Sequence, residues 1–403
     1  MSGPLDGIRN LDWTIWQQGP VATQMLADLG AEVIKIEERE RGDPGRGLTA
    51  AAGSATVKGG RNFYFEANNK HKKSIALDLK RPEGREIAYR LAARSDVFVQ
   101  NFRKGVAQRL GLGYADLVPL NPRIIYASAS GYGPEGPDSG EPSFDYLGQA
   151  RSGIMNAVGS GTTTPTYIYG GIADQMGAIM LAYGVLAALF ARERTGIGQE
   201  VDASHLGSMM ALQGLNVVAR TILGSEFPRI TRANAYNPLW NHYRCADDKW
   251  ISLAMLQPDR YWKDFCEVIG KPELIEDPRF TANARGWNAA ALIVILDEVF
   301  AARPRDEWMR ILKGRGDFIY TVVNSVSDLP DDPQVRANEY LVEYDHPALG
   351  NLTLLGMPVK LSKTPGEPRG HAPEFGEHTE LLMTELLGYS WDDVARLREA
   401  KVI

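Results

Sequence analysis

The sequence predicts an α/β protein in which a doubly wound parallel sheet is covered by helices on both faces. Three observations carry this prediction: short apolar segments alternate with helix-like ones over the first 200 residues, Gly and Pro stand at their boundaries, and several of the apolar segments lead into glycine-containing loops. Strands that alternate with helices pair in parallel, because each helix returns the chain to the same end of the sheet. Ligands of such sheets bind outside the carboxyl ends of the strands.

The predicted strands and helices follow one another along the first part of the chain. Pro20 falls in the first turn of one predicted helix and Gly30 just past its end, the positions that proline and glycine favour. A second predicted helix also begins with a proline. The predicted strands are residues 7–13, 31–37, 74–79, 96–102 and 123–130, and the predicted helices are residues 19–30 and 81–95.

The rest of the chain changes character twice. An apolar helix is predicted to begin at Asp174 and another near Ser204, after which Trp, Tyr and Pro become frequent. Near the C-terminus the pattern is helical again, with Ser390 and Asp393 spaced as a capping box. We therefore predict a large domain of residues 1–204 and 331–403, with linker helices, and a small domain of residues 225–330.

Composition indicates a globular protein that binds neither nucleic acid nor a membrane. The chain has 403 residues, 44% apolar and 23% charged, and a net charge of −6, whereas a nucleic-acid surface needs a basic face. The longest apolar run, 177–191, is too short for roughly 30 Å of hydrocarbon, and the N-terminus shows no signal-peptide pattern. Cys245 and Cys266 are too few for a disulfide framework, so we expect a cytoplasmic protein.

Several common active-site motifs are missing from the sequence. The six histidines and two cysteines show no metal-ligand spacing, so we expect no metal. No Gly-x-Gly-x-x-Gly fingerprint follows the first predicted strand, and there is no Walker loop and no Gly-x-Ser-x-Gly elbow. Nicotinamide, nucleoside triphosphate and serine-hydrolase chemistry therefore lack their usual signatures.

Basic residues cluster near the ends of predicted strands. One interpretation is an ordinary solvated surface. The other is a site for a polyphosphate such as that of coenzyme A, bound by charge-assisted hydrogen bonds. The residues are Lys70, Lys72, Lys73, Lys80, Arg103, Lys104 and Arg109.

Asp174 stands at the start of the apolar helix in the phrase "YGGIADQMG". An Asp before a helix is an ordinary N-cap, which contributes about 1 kcal/mol. The alternative is a nucleophile, because a helix N-terminus favours the ionised carboxylate. In that case Gly170, Gly171 and Gly177 would let a bulky substrate approach the backbone.

Longer phrases give the chain a resemblance to a known family. They are "GIRNLDW…QGPVATQMLADLGAEVIKIEE", "GDPGRG", "NKHKKSIALDLKRPEGREIAYRLAARSDVFVQNFRKGVAQRLGLGYADLVPLNPRIIYASASGYGPEGP", "GIADQMGAIMLAYGVLAALFARERTGIGQEVDAS" and "HAPEFGEHTELLMTELLGYS". The chain resembles the family III CoA-transferases (CaiB/BaiF family), a group that includes formyl-CoA transferase, carnitine-CoA transferase and α-methylacyl-CoA racemase. The resemblance implies a Rossmann-like large domain built from both chain ends and two subunits interlocked as rings.

The resemblance also implies a mechanism. The family's catalytic aspartate falls in the "GIADQMG" segment, so Asp174 is the residue that would form a mixed anhydride and then an aspartyl-CoA thioester. The amide of Gln17, in the "QGP" loop, would stabilise oxyanions there, or else serve only to pack the loop.

The family's coenzyme A contacts also map onto this sequence. This chain has Glu38 where another member has an arginine after "KIE", so a phosphate contact there would shift to Arg39 or be lost. No bound cofactor is implied, since coenzyme A enters as part of the acyl-CoA substrate. The matching positions are Trp16, Gln17, Arg39, Lys72, Leu77, Lys80, Asn101, Phe102, Arg103, Arg109 and Leu110.

Departures from the family pattern narrow the activity. Phe144 stands where the racemase branch has a proton-transferring histidine, which disfavours racemisation. Asp145, beside it, would orient substrate or cap a helix. The segment "ISLAMLQPDRYW" lacks the glycines of the mobile loop in the formyl-CoA branch, which puts oxalate and formate specificity in doubt.

Aromatic residues near the expected site suit either a core or a substrate pocket. If several line a pocket, a bulky or aromatic acceptor acid is favoured. Two alternatives to a homodimeric transferase remain: an acyl-CoA isomerase or racemase on the same fold, and a non-catalytic subunit that binds coenzyme A. The aromatic residues are Trp13, Trp16, Phe144, Tyr167, Tyr169, Trp240 and Tyr243, of which Phe144 and Tyr169, with Asp145, are the predicted pocket residues.

Overall fold

A computed structural model describes residues 3–47, 61–159, 164–225, 231–368 and 370–403. Segments of the predicted domains that fall at residues 1–2, 48–60, 160–163, 226–230 and 369 lie outside the described residues. The chain divides into two compact units. One comprises Met1–Asn156, Thr166–Glu226 and Arg336–Ile403, and the other comprises Ala157–Pro165 and Phe227–Val335.

Strands and helices alternate over the first 200 residues, as predicted. The strands are β1 Arg9–Trp13, β2 Glu32–Glu38, β3 Lys72–Leu77, β4 Val97–Gln100, β5 Ile125–Ser130 and β6 Glu200–Ser204. The helices are α1 Gln18–Asp28, α2 Phe63–Asn68, α3 Pro82–Ala92, α4 Val106–Arg109, α5 Tyr114–Leu117, α6 Asp145–Ser152, α7 Ile154–Ala157, α8 Ile172–Thr195, α9 His205–Leu212 and α10 Gly214–Leu223.

The later elements are shorter and more mixed. The strands are β7 Trp240–Arg244, β8 Trp250–Ala254, β9 Tyr320–Val323, β10 Leu341–His346 and β11 Gly350–Leu355. The helices are α11 Pro258–Val268, α12 Ala284–Trp287, α13 Ala289–Ala301, α14 Arg305–Lys313, α15 Pro333–Ala337, α16 Thr379–Leu381 and α17 Trp391–Glu399, with a π-helical turn at Leu382–Leu386 between the last two.

The central sheet has six parallel strands in the order β3-β2-β1-β4-β5-β6, which confirms the predicted α/β class. The strand order reverses between β1 and β4, where Trp13 pairs with Gln100 at the carboxyl ends. Loops on either side of such a reversal diverge and leave a crevice for a ligand. The sheet therefore places the loops after β1 and β4 at its expected binding edge.

Helices cover both faces of this sheet. Phe98 of β4 packs towards α3 with Leu11 and Ile34, whereas its neighbours Val97 and Val99 face α1 and α8. This alternation follows from the two-residue period of a strand. Both faces are buried, as expected for a parallel sheet, although the face towards α1 also carries buried charged side chains, among them Asp12 and Lys72.

The other unit has its own sheet and core. Strands β7, β8 and β9 pair antiparallel in that order, and helices α11, α13 and α14 contribute to one apolar cluster with them. Tyr243 lies in that cluster and is fully buried, so it is a core residue rather than a pocket residue. Trp240, in the same strand, is exposed.

Helix α8 is longer than the apolar run at 177–191 indicates. It has 24 residues and, by length and composition alone, is apolar enough to cross a membrane. A core helix satisfies the same criterion, and the buried side chains of α8, among them Leu181 and Val185, pack with strand residues in one core cluster. Among the described residues, one other segment satisfies this membrane-span criterion. It consists of helices α9 and α10, when the two are counted together as one bent span.

Candidate active site

Helix α8 begins two residues earlier than the sequence predicts, and this changes the position of Asp174. Gly171 is the N-cap, with φ of 71°, and Asp174 is the third residue of the helix. The interpretation of Asp174 as the N-cap is therefore wrong, because the left-handed Gly171 turns the chain into the helix and no side chain of α8 caps it. The Asp174 carboxylate still lies in the first turn, where the helix dipole favours negative charge.

The cap of α8 comes from another helix. Asp145, the first residue of α6, accepts hydrogen bonds at Oδ1 from the backbone N–H groups of Ala173 (2.6 Å) and Asp174 (3.3 Å). Its Oδ2 accepts from Gln149 Nε2 at 2.8 Å and from the Tyr167 hydroxyl at 2.9 Å. Burial, helped by the bond to Asp145, raises the pKa of Tyr167 to about 12, so this hydroxyl stays protonated as a donor. Of the two roles open for Asp145, the structure shows helix capping.

A histidine contacts the Asp174 carboxylate directly. Nε2 of His205, the first residue of α9, lies 2.8 Å from Asp174 Oδ1. The other ring nitrogen, Nδ1, lies 3.3 Å from Ser143 Oγ. The sequence did not single out His205 as functional, since it stands 31 residues from Asp174 and in no motif. Its place directly after β6, at the carboxyl edge of the sheet, is visible only once that strand is known.

The glycines around Asp174 make room chiefly for protein side chains. A Cβ on Gly171 would lie 2.6 Å from the amide of Gln17, and one on Gly177 would lie 2.5 Å from that of Gln18. Of these three glycines, Gly170 alone opens onto free space, since a Cβ added there meets no described atom within 4 Å. Gln17 Nε2 is 3.4 Å from the carbonyl of Gly170, which brings this amide next to the start of α8. The expectation that all three glycines admit substrate is corrected accordingly.

Most of the predicted coenzyme A contacts follow the carboxyl ends of neighbouring strands. Asn101 exchanges two hydrogen bonds with the backbone of Ile15, at 2.9 and 2.6 Å, and so ties the loop after β4 to the loop after β1. Trp16, in that loop, adopts a φ of 65° and donates its backbone N–H to Asp43. The residues at these strand ends are Trp16 and Gln17 after β1, Arg39 after β2, Lys80 after β3, and Asn101, Phe102 and Arg103 after β4.

The cationic candidates differ in exposure. Lys80, Arg103 and Arg109 are exposed, and within the described part of the chain none of them forms an ion pair. Arg39 donates Nε to the carbonyl of Ile403 at 3.1 Å and lines a cavity of about 670 Å³ with the C-terminal segment. Leu110 follows Arg109 directly and is half-buried. Phe102 and Arg103 line a second cavity of about 430 Å³ beyond β4, β5 and β6.

Two predicted contacts are placed inside the fold. The Lys72 ammonium is buried and donates to Asp12 Oδ2, the carbonyl of Pro20 and Asn69 Oδ1, each at 2.8 Å. Burial lowers the pKa of Lys72 to about 8. Leu77 is a core side chain beneath α3. Neither side chain reaches the surface, because Lys72 neutralises a buried carboxylate and Leu77 fills the core.

Aromatic side chains surround the start of α8. The ring of Tyr167 lies 4.9 Å from that of Tyr146 and 5.0 Å from that of Tyr169, which is 88% exposed. Trp16 and Phe144 form a second pair, with ring centroids 6.1 Å apart. By contrast, Trp13 is buried against Phe102 and belongs to the core.

Comparisons with known proteins agree with this picture. The sequence model of the family "CoA-transferase family III" matches residues 5–379 of this chain. The chain is 30% identical to (R)-2-hydroxy-4-methylpentanoate CoA-transferase from Clostridioides difficile, over 99% of each chain. It is 34% identical to acetyl-CoA:oxalate CoA-transferase from Acetobacter aceti, over 95% of this chain and 96% of that protein. A crystal structure of a CaiB/BaiF family protein from Brucella suis superposes with a TM-score of 0.85 at 30% identity, covering 96% of this chain and all of the other.

Proposed function

Because the chain belongs to CoA-transferase family III, we propose that it moves coenzyme A from an acyl-CoA donor to a carboxylic acid acceptor through covalent intermediates on Asp174. The observation that carries the proposal is the placement of the Asp174 carboxylate. It lies in the first turn of α8, next to the glycines that the Gln17 amide contacts, and it is held by Asp145 and His205.

The first half-reaction loads Asp174 with coenzyme A. One carboxylate oxygen attacks the thioester carbonyl, the C–S bond breaks, and a mixed anhydride and the CoA thiolate result. The thiolate then attacks Asp174 Cγ, the bond from Cγ to the bridging oxygen breaks, and the donor acid leaves with that oxygen. The product is an aspartyl-CoA thioester.

The second half-reaction runs the same steps in reverse with the acceptor. The acceptor carboxylate attacks Cγ and displaces the CoA thiolate, which forms a new anhydride. The thiolate attacks the acceptor carbonyl, so the acyl-CoA product leaves and Asp174 is restored. Gln17 supports these steps in the proposal, because an amide N–H beside the reacting carbonyl stabilises oxyanions. The scheme requires neither a metal nor a bound cofactor.

Coenzyme A itself is proposed to lie over the loops after β1 to β4. Exposed Lys80, Arg103 and Arg109 supply positive charge there without competing ion pairs among the described residues. Arg39, beside the cavity at the C-terminal segment, adds a fourth cation. Lys72 and Leu77 are left out of the proposed contact surface because both side chains are buried.

The acceptor is proposed to be a bulky or aromatic acid. The half-buried Tyr167 donates a hydrogen bond to Asp145, the residue that caps the helix of Asp174, and its ring contacts the exposed rings of Tyr146 and Tyr169. Exposed rings beside a reactive group favour flat or bulky substrates. The acids in the names of the relatives, oxalate and 2-hydroxy-4-methylpentanoate, differ from each other in size and polarity.

Two copies of the chain are proposed to form the interlocked dimer that the family resemblance implies. Helix α10 exposes Leu215 (76%) and Ile222 (75%), and helix α8 exposes Tyr183 (66%) and Phe190 (68%). Large exposed apolar side chains on a helix mark an interaction surface. We assign this surface to contact with a second copy of the chain.

The proposed function is tested by a CoA-exchange assay. Purified protein is incubated with acetyl-CoA or succinyl-CoA and a panel of acids that includes phenylacetate, benzoate, oxalate and succinate. We expect new acyl-CoA only when an acceptor acid is present, with the highest kcat/KM for an aromatic acid. Efficient exchange among short aliphatic acids alone would contradict the acceptor proposal, and rearrangement of acyl-CoA without any acid would contradict the transferase.

A further inference from the structure

His205 is a mostly buried residue in direct contact with Asp174, the proposed nucleophile. Its side chain is 7% exposed and that of Asp174 is 16% exposed, and the two form an ion-pair geometry at 2.8 Å between Nε2 and Oδ1. An ionised carboxylate only accepts hydrogen bonds, so Nε2 carries a proton. His205 is therefore a hydrogen-bond donor to Oδ1.

Two further contacts, one at Nδ1 and one with helix α6, fix the imidazole ring. Nδ1 lies 3.3 Å from Ser143 Oγ, which is able to donate to it when the ring is neutral. Helix α6 passes directly under the ring at Gly148, where an added Cβ would lie 2.7 Å from His205 Cβ and 3.2 Å from Cγ. Only glycine leaves room at that position. The ring orientation is thus fixed by a hydrogen bond on one side and by close packing on the other.

The two oxygens of Asp174 are not equivalent. Oδ1 accepts the hydrogen bond from His205, whereas no described residue donates to Oδ2. An oxygen without a donor is the better nucleophile, because no hydrogen bond has to be lost before attack. Oδ2 is then the oxygen that bonds to the acyl group, and Oδ1 stays the carbonyl oxygen of Asp174 in both the anhydride and the thioester.

We infer that the His205 Nε2–H group stabilises the oxyanion that develops on Oδ1 whenever Asp174 Cγ is attacked. This inference rests on the proposed function. In the cycle described above, Cγ is attacked twice, by the CoA thiolate on the anhydride and by the acceptor carboxylate on the thioester. Each attack converts the Cγ–Oδ1 carbonyl into a tetrahedral oxyanion, which collapses when the bond to the leaving oxygen or sulfur breaks. The donor is already in place at 2.8 Å and moves no proton.

The inference separates steps at Asp174 from steps at the substrate. Attack on the acyl carbonyl of the donor places the oxyanion on the substrate, away from His205. Loss of the Nε2–H group should therefore slow the conversion of anhydride into aspartyl-CoA thioester more than it slows formation of the anhydride. A residue that only supports the fold would slow both steps alike.

The matched variants are His205→Gln and His205→Asn. The glutamine amide nitrogen takes a position close to Nε2, whereas the asparagine side chain is one methylene shorter and its amide stops near Nδ1. Both are neutral amides of similar polarity. His205→Leu, which has no donor, is the third variant, and Ser143→Ala removes only the contact at Nδ1.

The experiment is rapid mixing with an acyl-CoA, acid quench and intact-protein mass spectrometry, which distinguishes an acyl adduct from a CoA adduct by mass. In the Asn and Leu variants we expect the CoA adduct to form about 100-fold more slowly, with accumulation of the acyl adduct. We expect Gln to recover at least about tenfold of this loss and Ser143→Ala to lose less than the Asn variant.

Two results would overturn the inference: a CoA adduct that forms at the wild-type rate in the Asn and Leu variants, or Gln and Asn variants equally slow with an unchanged ratio of acyl to CoA adduct. The Gln and Asn pair decides the question if the Leu variant does not fold. Failure of the proposed function gives a different result, since wild-type protein would then form no adduct on Asp174 at all.

Discussion

At the scale of single residues, the carboxylate of Asp174 is positioned by groups that other elements supply. Asp145 of α6 holds the backbone N–H groups of Ala173 and Asp174, and His205 of α9 holds one carboxylate oxygen. Held in this way, the carboxylate loses little conformational freedom on reaction, which is how fixed geometry contributes to rate. Substitutions of these supporting residues should affect turnover more than binding.

Asp145→Asn and Asp145→Ala test this support. Asn keeps one oxygen for the N–H groups of α8 but places an amide donor against Gln149 or Tyr167, whereas Ala removes the cap entirely. We expect kcat to fall about tenfold in Asn and about 100-fold in Ala, with KM for acyl-CoA within about threefold of wild type.

The matched control for Asp145 is Asp138→Asn. Asp138 also pairs with a residue of α6, Arg151, but both side chains are substantially exposed, so its loss should leave kcat unchanged. Steady-state kinetics on all three variants decides the matter. A rise in KM at constant kcat in the Asp145 variants would show a contact to substrate instead of a cap.

Asp28 provides a prediction about pH. Burial is the main cause that raises the pKa of Asp28 to about 6 from 3.8, despite Lys70 at 3.9 Å. Between these pH values the folded state binds a proton that the unfolded state has released, so this carboxyl lowers stability as pH rises from about 4 to 6. Asp28→Asn lacks the effect. The free energy of unfolding of the Asn variant, relative to wild type, should therefore increase by about 2–3 kcal/mol from pH 4 to pH 7.

Urea denaturation at pH 4.5, 5.5 and 7 measures this difference. His71 and Glu367 also face Asp28 and are present in both proteins, and the attraction of the ionised Asp28 carboxylate to Lys70 is already part of its pKa, so it adds no separate trend. Asp6→Asn, at an exposed carboxylate, is the control and should show no pH trend. A difference between Asp28→Asn and wild type that is the same at all three pH values would contradict the prediction.

At the scale of elements, the start of α8 brings the site together. The two glycines before the helix both have positive φ, 95° at Gly170 and 71° at Gly171, which side chains with a Cβ rarely adopt. Gly171 also leaves the space in which the Gln17 amide sits. The turn therefore fixes both the helix start and the neighbouring loop.

Substituting Gly170 and Gly171 one at a time separates the effect of backbone strain from the effect of displacing the Gln17 amide. Gly170→Ala and Gly171→Ala both strain the backbone, and each should lower the free energy of unfolding by about 1–2 kcal/mol. Only Gly171→Ala also displaces Gln17, because its Cβ would meet the amide at 2.6 Å, whereas a Cβ on Gly170 meets nothing within 4 Å. We expect kcat to fall at least about tenfold more in Gly171→Ala than in Gly170→Ala. Equal kcat values would exclude a role of Gln17 in the reaction.

Sequence patterns predicted five of the six strands of the central sheet and several of the helices, but not the contacts between these elements. The five predicted strands lie within about two residues of the observed ones, because each is an apolar run bounded by loop residues. Strand β6 was missed because it lies at the edge of the sheet, where Glu200 and Asp202 alternate with Val201 and Ala203. Ser204 and Ser390 were identified as helix starts because capping is local in sequence.

The candidate site was predictable only in part for the same reason. Asp174 and Gln17 stand in phrases that the family shares, so resemblance identifies them. The roles of Asp145 and His205 depend on α6 and α9 approaching α8, over separations of 29 and 31 residues. No local pattern encodes such tertiary contacts. Burial of Lys72 was likewise hidden, since a strand lysine ordinarily points to solvent.

At the scale of the whole molecule, the proposed dimer accounts for the exposed apolar surface of α8 and α10. Leu215→Asp with Ile222→Asp places two charges on that surface, which a dimer interface would have to bury. We expect sedimentation velocity to show a dimer for wild type and a monomer or unfolded chain for the double variant.

Asn216→Asp adds the same kind of charge on the same helix at a polar exposed position and is the control, which should remain dimeric. Circular dichroism separates a folded monomer from an unfolded chain. Wild-type protein that sediments as a monomer at micromolar concentration would contradict the proposed dimer.

The covalent role of Asp174 is tested most directly by oxygen transfer. After one turnover with an acceptor acid labelled with ¹⁸O in both carboxyl oxygens, the peptide that contains Asp174 should carry one ¹⁸O, because the acceptor oxygen replaces the one that left with the donor acid. Mass spectrometry of that peptide, with Asp174→Ala as the control, reads the label. One ¹⁸O at Asp174 is the result that the covalent scheme predicts. Turnover that leaves Asp174 unlabelled would contradict it.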